Sequence, residues 1–118
     1  MIKKVIHVDN SDFFKKLVKT QLTELGYISE NTDSGQETID YIKNGTAEVV
    51  IMGMSLKDME GEALLKEILL LPNKLPVIIL TSNNDPAEKE KFLKMGFSAY
   101  ISKSENWQEQ LEKTLKIL

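Results

Sequence analysis

Short apolar runs alternate along the chain with longer stretches in which apolar residues recur every three or four positions. The clearest run is Val49 to Met52, four apolar residues in succession, which is typical of a strand buried on both faces of a sheet. The longer stretches have the period of helices with one buried face. The predicted strands lie at 3–8, 27–31, 49–52, 76–81 and 99–102, and the predicted helices at 11–25, 34–44, 61–71, 85–95 and 104–118. The pattern therefore predicts five strands that alternate with five helices.

Capping residues and glycines mark the ends of these helices. The predicted capping residues are Ser11 or Asp12, Ser34 with Glu37 in a capping box, Asp85 before Pro86, and Ser104. Glycines at 26, 45 and 96 follow the helical patterns, as helix-ending glycines do. In the third helix the period places Ala63, Leu64, Ile68 and Leu71 inward, and in the last helix Trp107, Leu111, Leu115 and Leu118 recur at helical spacing.

Regular alternation of strands and helices predicts an α/β fold in a single domain that covers residues 1–118. Each crossover between parallel strands must be right-handed, so helices should lie on both faces of one doubly wound parallel sheet. Five strands in such a flavodoxin-like sheet most often have the order 2-1-3-4-5, with a crevice at the carboxyl ends of strands 1 and 3. The polar segment at 27–31 is the strand predicted to lie at an edge.

Charge and composition argue against several classes of function. The net charge is −3 and all 15 basic residues are lysine, so the chain lacks the basic surplus of nucleic-acid-binding proteins. It has no cysteine, which excludes disulfides and thiolate chemistry. No apolar stretch is long enough to span a membrane, and the first residues do not form a signal peptide. We expect a cytoplasmic protein that binds neither nucleic acid nor membrane.

Four of the predicted strands end at residues that this fold would bring to one crevice. These ends are Asp9 with Asn10, Gly53, Thr81 with Ser82, and Lys103 with Ser104. With these residues in place, the chain resembles the receiver domains of response regulators in two-component signalling. The resemblance extends over the whole chain and includes the loop SLKDMEG after the third strand and the segment AYISK at the fifth.

The resemblance implies a role for each of these positions. In the family, an aspartate after the third strand takes up a phosphoryl group, and an acidic pair after the first strand holds a divalent cation such as Mg²⁺. The lysine pairs with the phosphoryl oxygens, the threonine hydroxyl donates a hydrogen bond to them, and an aromatic residue on the fifth strand moves in response. By resemblance these roles fall to Asp9, Thr81, Lys103 and Tyr100.

Three positions depart from the family pattern. Gly53 stands where the phosphate-accepting aspartate is expected, Asn10 replaces the second acidic residue, and Ser104 replaces the usual proline after the lysine. Glycine has no nucleophilic group, and the neighbouring Ser55 and Asp58 are poor substitutes because attack requires a particular geometry. The phosphorylation site is therefore predicted to be degenerate.

Loss of a carboxylate also affects metal binding. Mg²⁺ requires near-octahedral oxygen ligation, and Asp9 with the backbone of Ser55 would be the available ligands. No cofactor is therefore expected, and Mg²⁺ would bind only if the site were competent. Because no second carboxylate repels Asp9, we expect Asp9 to pair with Lys103 and to hold the crevice in one state.

These features together predict a pseudo-receiver, a signalling domain without enzymatic activity that acts through protein–protein contacts. Its partner is expected to be a histidine kinase, an output domain or another signalling protein. The predicted contact face lies near Lys91, Tyr100 and Trp107. His7 is predicted to be a core residue with a hydrogen-bonded ring, since a lone histidine makes neither a metal site nor a catalytic triad.

Two alternatives stay open on the sequence alone. One is an ordinary phosphate-accepting receiver in which the aspartate was changed to Gly53 by engineering. The other is a flavin- or nucleotide-binding protein of the same architecture, although the chain has no Gly-rich phosphate-binding loop.

Overall fold

Five parallel strands form one sheet at the centre of the protein. The computed structural model describes residues 4–72, 75–82, 85–104 and 106–118. The strands are β1 (Lys4–Val8), β2 (Ile28–Thr32), β3 (Val49–Met52), β4 (Val77–Thr81) and β5 (Ala99–Ser102). Their order is β2-β1-β3-β4-β5, and each neighbouring pair is parallel. The predicted order is therefore confirmed, with β2 at an edge.

Helices cover both faces of this sheet. They are α1 (Asp12–Glu24), α2 (Gly35–Lys43), α3 (Gly61–Leu70), α4 (Pro86–Met95) and α5 (Trp107–Ile117). One core cluster joins α2, α3 and α4 to the sheet, and a second joins α1 and α5 to the opposite face. Within the ranges that the structure describes, no helix is long and apolar enough to cross a membrane.

The strand β3 occupies the middle of the sheet, between β1 and β4. All four of its side chains are completely buried, which explains the uninterrupted apolar run in the sequence. Its ladder with β1 continues one residue further, because the Gly53 amide donates a hydrogen bond to the Val8 carbonyl at 2.8 Å. The end of β3 is thus held directly beside the end of β1.

Side-chain caps fix where three of the helices begin. Ser11, Ser34 and Asp85 accept hydrogen bonds from the amides of Phe14, Glu37 and Ala87 at 3.2, 3.2 and 3.0 Å. Only one half of the predicted capping box is present, the hydrogen bond from the Glu37 amide to the Ser34 hydroxyl. In place of the other half, the Ser34 amide donates to the Thr32 hydroxyl at 3.1 Å. The end of β2 therefore supplies the partner that Glu37 would provide in a complete box.

The prediction that Ser104 caps the last helix is wrong. The helix α5 begins at Trp107 with Asn106 as its N-cap residue. Ser104 lies in a tight turn after β5, where its amide donates to the Ser102 carbonyl at 2.7 Å and its own carbonyl accepts from the Trp107 amide at 3.3 Å. The backbone of Ser104 is used to close this turn, so the helix starts later.

The buried face of α3 also differs from the prediction. Ala63 is exposed, whereas Leu65, which the prediction omitted, is completely buried. The helix begins with a close approach to the end of β3, since a Cβ atom on Gly61 would lie 2.8 Å from the Met54 Cα atom. Leu65 packs with Leu64 and Ile68 in the core cluster on this side of the sheet.

Two leucines on α3 provide a test of this face. We expect Leu65→Ala to lower the free energy of unfolding by about 2–5 kcal/mol, because it leaves a cavity in the core. Leu70→Ala is the matched control, since Leu70 is 85% exposed and its truncation should change stability by no more than about 0.5 kcal/mol. Urea denaturation followed by circular dichroism measures both values, and equal losses would contradict the assigned face.

Candidate functional site

Asp9 follows β1 and uses both oxygens of its carboxylate. Oδ1 accepts a hydrogen bond from the Ser11 amide at 3.0 Å, and Oδ2 accepts one from the Lys103 Nζ atom at 2.9 Å. Burial alone would raise the pKa of Asp9, but contacts with His7, Lys103 and the Ser11 amide outweigh it and lower the pKa to about 2. Asp9 is therefore ionised at neutral pH.

Lys103 reaches Asp9 from the end of β5. Its backbone amide donates to the Thr81 carbonyl at 2.7 Å, which holds the lysine beside the end of β4. The Nζ atom also lies 4.1 Å from the centroid of the Phe14 ring, and the lysine side chain is 10% exposed. The predicted pair of Asp9 and Lys103 is present, with an aromatic ring against its cation that the sequence analysis did not foresee.

Gly53 ends β3 in contact with the same carboxylate. A Cβ atom on Gly53 would lie 3.1 Å from the Asp9 Cγ atom and 3.3 Å from each of its oxygens. Such contacts would require Asp9 to move by a few tenths of an ångström. Gly53 therefore lies at the carboxyl end of β3, directly against the Asp9 carboxylate.

These strand ends border a crevice with a volume of about 480 Å³. Its lining includes Asp9, Asn10, Ser55, Thr81 and Lys103, which the sequence analysis had singled out. Ser11, Met54, Glu60, Leu80, Ser82 and Glu88 complete the lining. The fold thus brings together residues from the ends of β1, β3, β4 and β5, as the carboxyl ends of parallel strands require.

Asp58, in the loop between β3 and α3, binds the amino end of α2. One carboxylate oxygen accepts from the Gly35 amide at 2.7 Å, and the other accepts from the Gln36 amide and the Ser34 hydroxyl, both at 3.0 Å. These hydrogen bonds, that of Gln36 first, lower the pKa of Asp58. Sequence reasoning missed this cap, because its partners lie 22 to 24 residues away and no local pattern indicates them.

Comparison with known proteins decides the family. A model described as the response regulator receiver domain matches residues 5–116. The chain belongs to this family. Its fold is therefore that of a receiver domain of two-component signalling.

Named relatives include both kinases and regulators. The sensor histidine kinase RcsC of Escherichia coli strain K12 is 27% identical over 99 residues, which cover 84% of this chain and 10% of the kinase. The signal transduction histidine-protein kinase BarA of the same strain is 30% identical over 101 residues, which cover 84% of this chain and 11% of the kinase. Across curated relatives of this kind, the segment that matches this chain covers from 10% to 39% of their length.

Among solved structures, the chemotaxis response regulator CheY4 of Vibrio cholerae is similar over its whole length. The alignment covers 99% of this chain and 98% of that one, with 25% sequence identity and a TM-score of 0.87. The similarity therefore extends over nearly all of both chains.

His7 of this receiver domain departs from its predicted role. It is completely buried, and neither ring nitrogen has a hydrogen-bond partner in the part of the chain that the structure describes. Its Nε2 atom lies 3.6 Å from the Asp9 Oδ2 atom, which is beyond hydrogen-bond length, and Lys103 is bound to that same oxygen. The prediction of a hydrogen-bonded ring is therefore wrong. Burial lowers the pKa of His7, so the ring is neutral at neutral pH.

The donor set of the crevice does not fit the Mg²⁺ ion that receiver domains bind. Both oxygens of Asp9 are already hydrogen-bonded, one of them to a lysine, and Gly53 supplies no side-chain oxygen. No group of three or more His, Cys, Asp or Glu side chains within the described ranges could hold a metal ion. An octahedral site built on Asp9 would have to share its carboxylate with Lys103.

The three residues of the predicted partner face differ in accessibility. The Lys91 side chain is 57% exposed and pairs with Glu62 at 2.9 Å, and Tyr100 is partly buried on β5. Trp107 is 6% exposed and packs on Phe14, with 5.4 Å between ring centroids. Its inclusion in a contact face is wrong, because its ring fills the space between α5 and α1.

The buried neutral His7 predicts how stability depends on pH. In the unfolded chain the His7 ring takes up a proton near pH 6.5, whereas in the folded chain it does so only at lower pH. Below pH 6.5 the unfolded chain therefore binds more protons than the folded chain, and the folded state loses stability. We expect the free energy of unfolding to fall by up to about 1.4 kcal/mol per pH unit between pH 6.5 and 5. In His7→Val this slope should disappear. Denaturation curves at several pH values measure it, and equal slopes in the two proteins would refute the assignment.

Proposed function

We propose that this receiver domain signals without phosphorylation at the usual site and acts through contacts with other proteins. The observation that carries the proposal is Gly53 at the end of β3, against the carboxylate of Asp9. The resemblance implies that an aspartate at this place accepts the phosphoryl group from its donor. Glycine has no oxygen that could attack phosphorus, so the aspartyl phosphate cannot form at this position.

The neighbouring oxygen nucleophiles are poor replacements. The Asp58 carboxylate is engaged by three hydrogen bonds at the amino end of α2. Ser55 lines the crevice, but a hydroxyl needs an adjacent base to become nucleophilic. Asp9, with a pKa of about 2 and an ion pair to Lys103, is too weak a base for that role.

The pair of Asp9 and Lys103 supports a single resting state of the crevice. The positive charge of Lys103 and the negative charge of Asp9 compensate each other, in a site where both side chains are at most 10% exposed. Separating them would leave an uncompensated charge in a poorly hydrated place, which is costly. In this proposal the lysine serves as a permanent internal cation and does not wait for a phosphoryl group.

Protein contacts are the remaining route for a signal. Relatives of this receiver domain include sensor histidine kinases, which supports a kinase, an output domain or another signalling protein as partner. The proposed contact surface lies near Lys91 on α4, whose side chain is 57% exposed, and Tyr100 on β5. This role requires no enzymatic activity, and we propose that the domain performs it in the cytoplasm.

Reaction with acetyl phosphate tests the missing nucleophile. We expect no phosphoryl adduct on the natural sequence in intact-mass spectra recorded after incubation with acetyl phosphate and Mg²⁺. Gly53→Asp is the matched variant and should gain an adduct, since Asp9 needs to shift only slightly to admit a side chain. An adduct on the natural sequence would overturn the proposal, and failure of Gly53→Asp to react would remove Gly53 as its cause.

Thermal melting with millimolar Mg²⁺ tests the ion pair in the same two proteins. We expect the melting temperature of the natural sequence to be unchanged, because Asp9 is occupied by Lys103. Gly53→Asp should melt at a higher temperature with Mg²⁺ than without it, since a ligand that binds only the folded state stabilises that state. A clear upward shift for the natural sequence would show that its site still binds metal.

A further inference from the structure

Four contacts around Lys103 form a closed cycle between β1, α1 and the end of β5. Asp9 Oδ1 accepts from the Ser11 amide at 3.0 Å, and the Ser11 hydroxyl accepts from the Phe14 amide at 3.2 Å. The Phe14 ring then lies 4.1 Å from the Lys103 Nζ atom, which returns to Asp9 Oδ2 at 2.9 Å. Each member of the cycle therefore contacts two others.

The cycle also extends to α5. The Phe14 ring packs on Trp107, with 5.4 Å between centroids, and Trp107 opens α5 just after the turn that carries Lys103. A hydrogen bond of 2.7 Å from the Gln21 side chain to the Gln108 carbonyl joins the two helices further along. Phe14 is thus the side chain that contacts both the charged pair and the interface of α1 with α5.

We propose that Phe14 is a positioning residue that couples the Asp9–Lys103 pair to the packing of α5 against α1. The inference rests on the proposed function, in which that pair is the resting state of the crevice. A lysine side chain has a long flexible stem, and contact with an aromatic face on one side and a carboxylate on the other confines its ammonium group. A displacement of α5 by a bound protein would then move the ring and alter the crevice, with no phosphoryl group involved.

The single tryptophan of the chain provides a spectroscopic readout of this coupling. We expect Asp9→Asn to shift the emission maximum of Trp107, because a displaced ammonium group changes the position of the Phe14 ring. Asp12→Asn is the control with the same chemistry, since the Asp12 side chain is 98% exposed and pairs only with Lys15 among the described residues. It should leave the emission unchanged.

Changes at Phe14 separate coupling from a general structural effect. In a Phe14→Leu background the shift caused by Asp9→Asn should be lost, whereas Phe14→Tyr, which keeps an aromatic face, should preserve it. A shift of the same size in the Phe14→Leu background, or no shift in the natural background, would overturn the inference. Circular dichroism verifies folding, and Lys103→Gln replaces Asp9→Asn if that variant does not fold, with the same outcomes expected.

The emission spectra are recorded with chelator and without a phosphoryl donor. A phosphoryl adduct in the mass experiment would therefore overturn the proposed function and leave the fluorescence result intact. Loss of the coupling would overturn the role of Phe14 and leave the chemistry of Gly53 as proposed.

Discussion

The ion pair between Asp9 and Lys103 joins two strands that do not touch each other. In the sheet, β1 and β5 are separated by β3 and β4, and the two residues are 94 positions apart in the sequence. Removing both charges from water is unfavourable, so the pair depends on the groups around it. The Ser11 amide and the Phe14 ring supply that compensation. The crevice is therefore organised by one carboxylate and the groups that neutralise it.

The position of the pair follows from the order of the strands. Parallel strands all present their carboxyl ends at one edge of the sheet, and β3 lies between β1 and the strands that carry Thr81 and Lys103. Gly53 ends β3 without a side chain, at the point where any Cβ atom would contact Asp9. Beside it the lysine and Asp9 satisfy each other. The scaffold of the family is retained around a strand end that is followed by a glycine.

The loop that follows Gly53 is fixed as firmly as the strands. Asp58 binds the amino end of α2, and the start of α3 approaches Met54 so closely that only a glycine fits at position 61. Both contacts hold the loop between β3 and α3 in place beside the crevice.

Much of the fold of this protein could be predicted from its amino-acid sequence. The run Val49 to Met52 and the helical periods are local properties, and alternation of the two element types restricts the topology to very few choices. The convergence of Asp9, Gly53 and Lys103 follows from that topology alone. Helix capping by Ser11, Ser34 and Asp85 could also be predicted from the sequence, because the donor and the acceptor lie within three residues of each other.

Tertiary structure decided the contacts that depend on rotation and on distant partners. Leu65 is buried in the core whereas Ala63 is exposed, and Trp107 packs on the ring of Phe14. Asp58 has its partners at the start of another helix, and neither ring nitrogen of His7 has a hydrogen-bond partner among the described residues. A periodic pattern specifies that an element is buried on one side, whereas the partner of each polar group is determined only when separate elements come together.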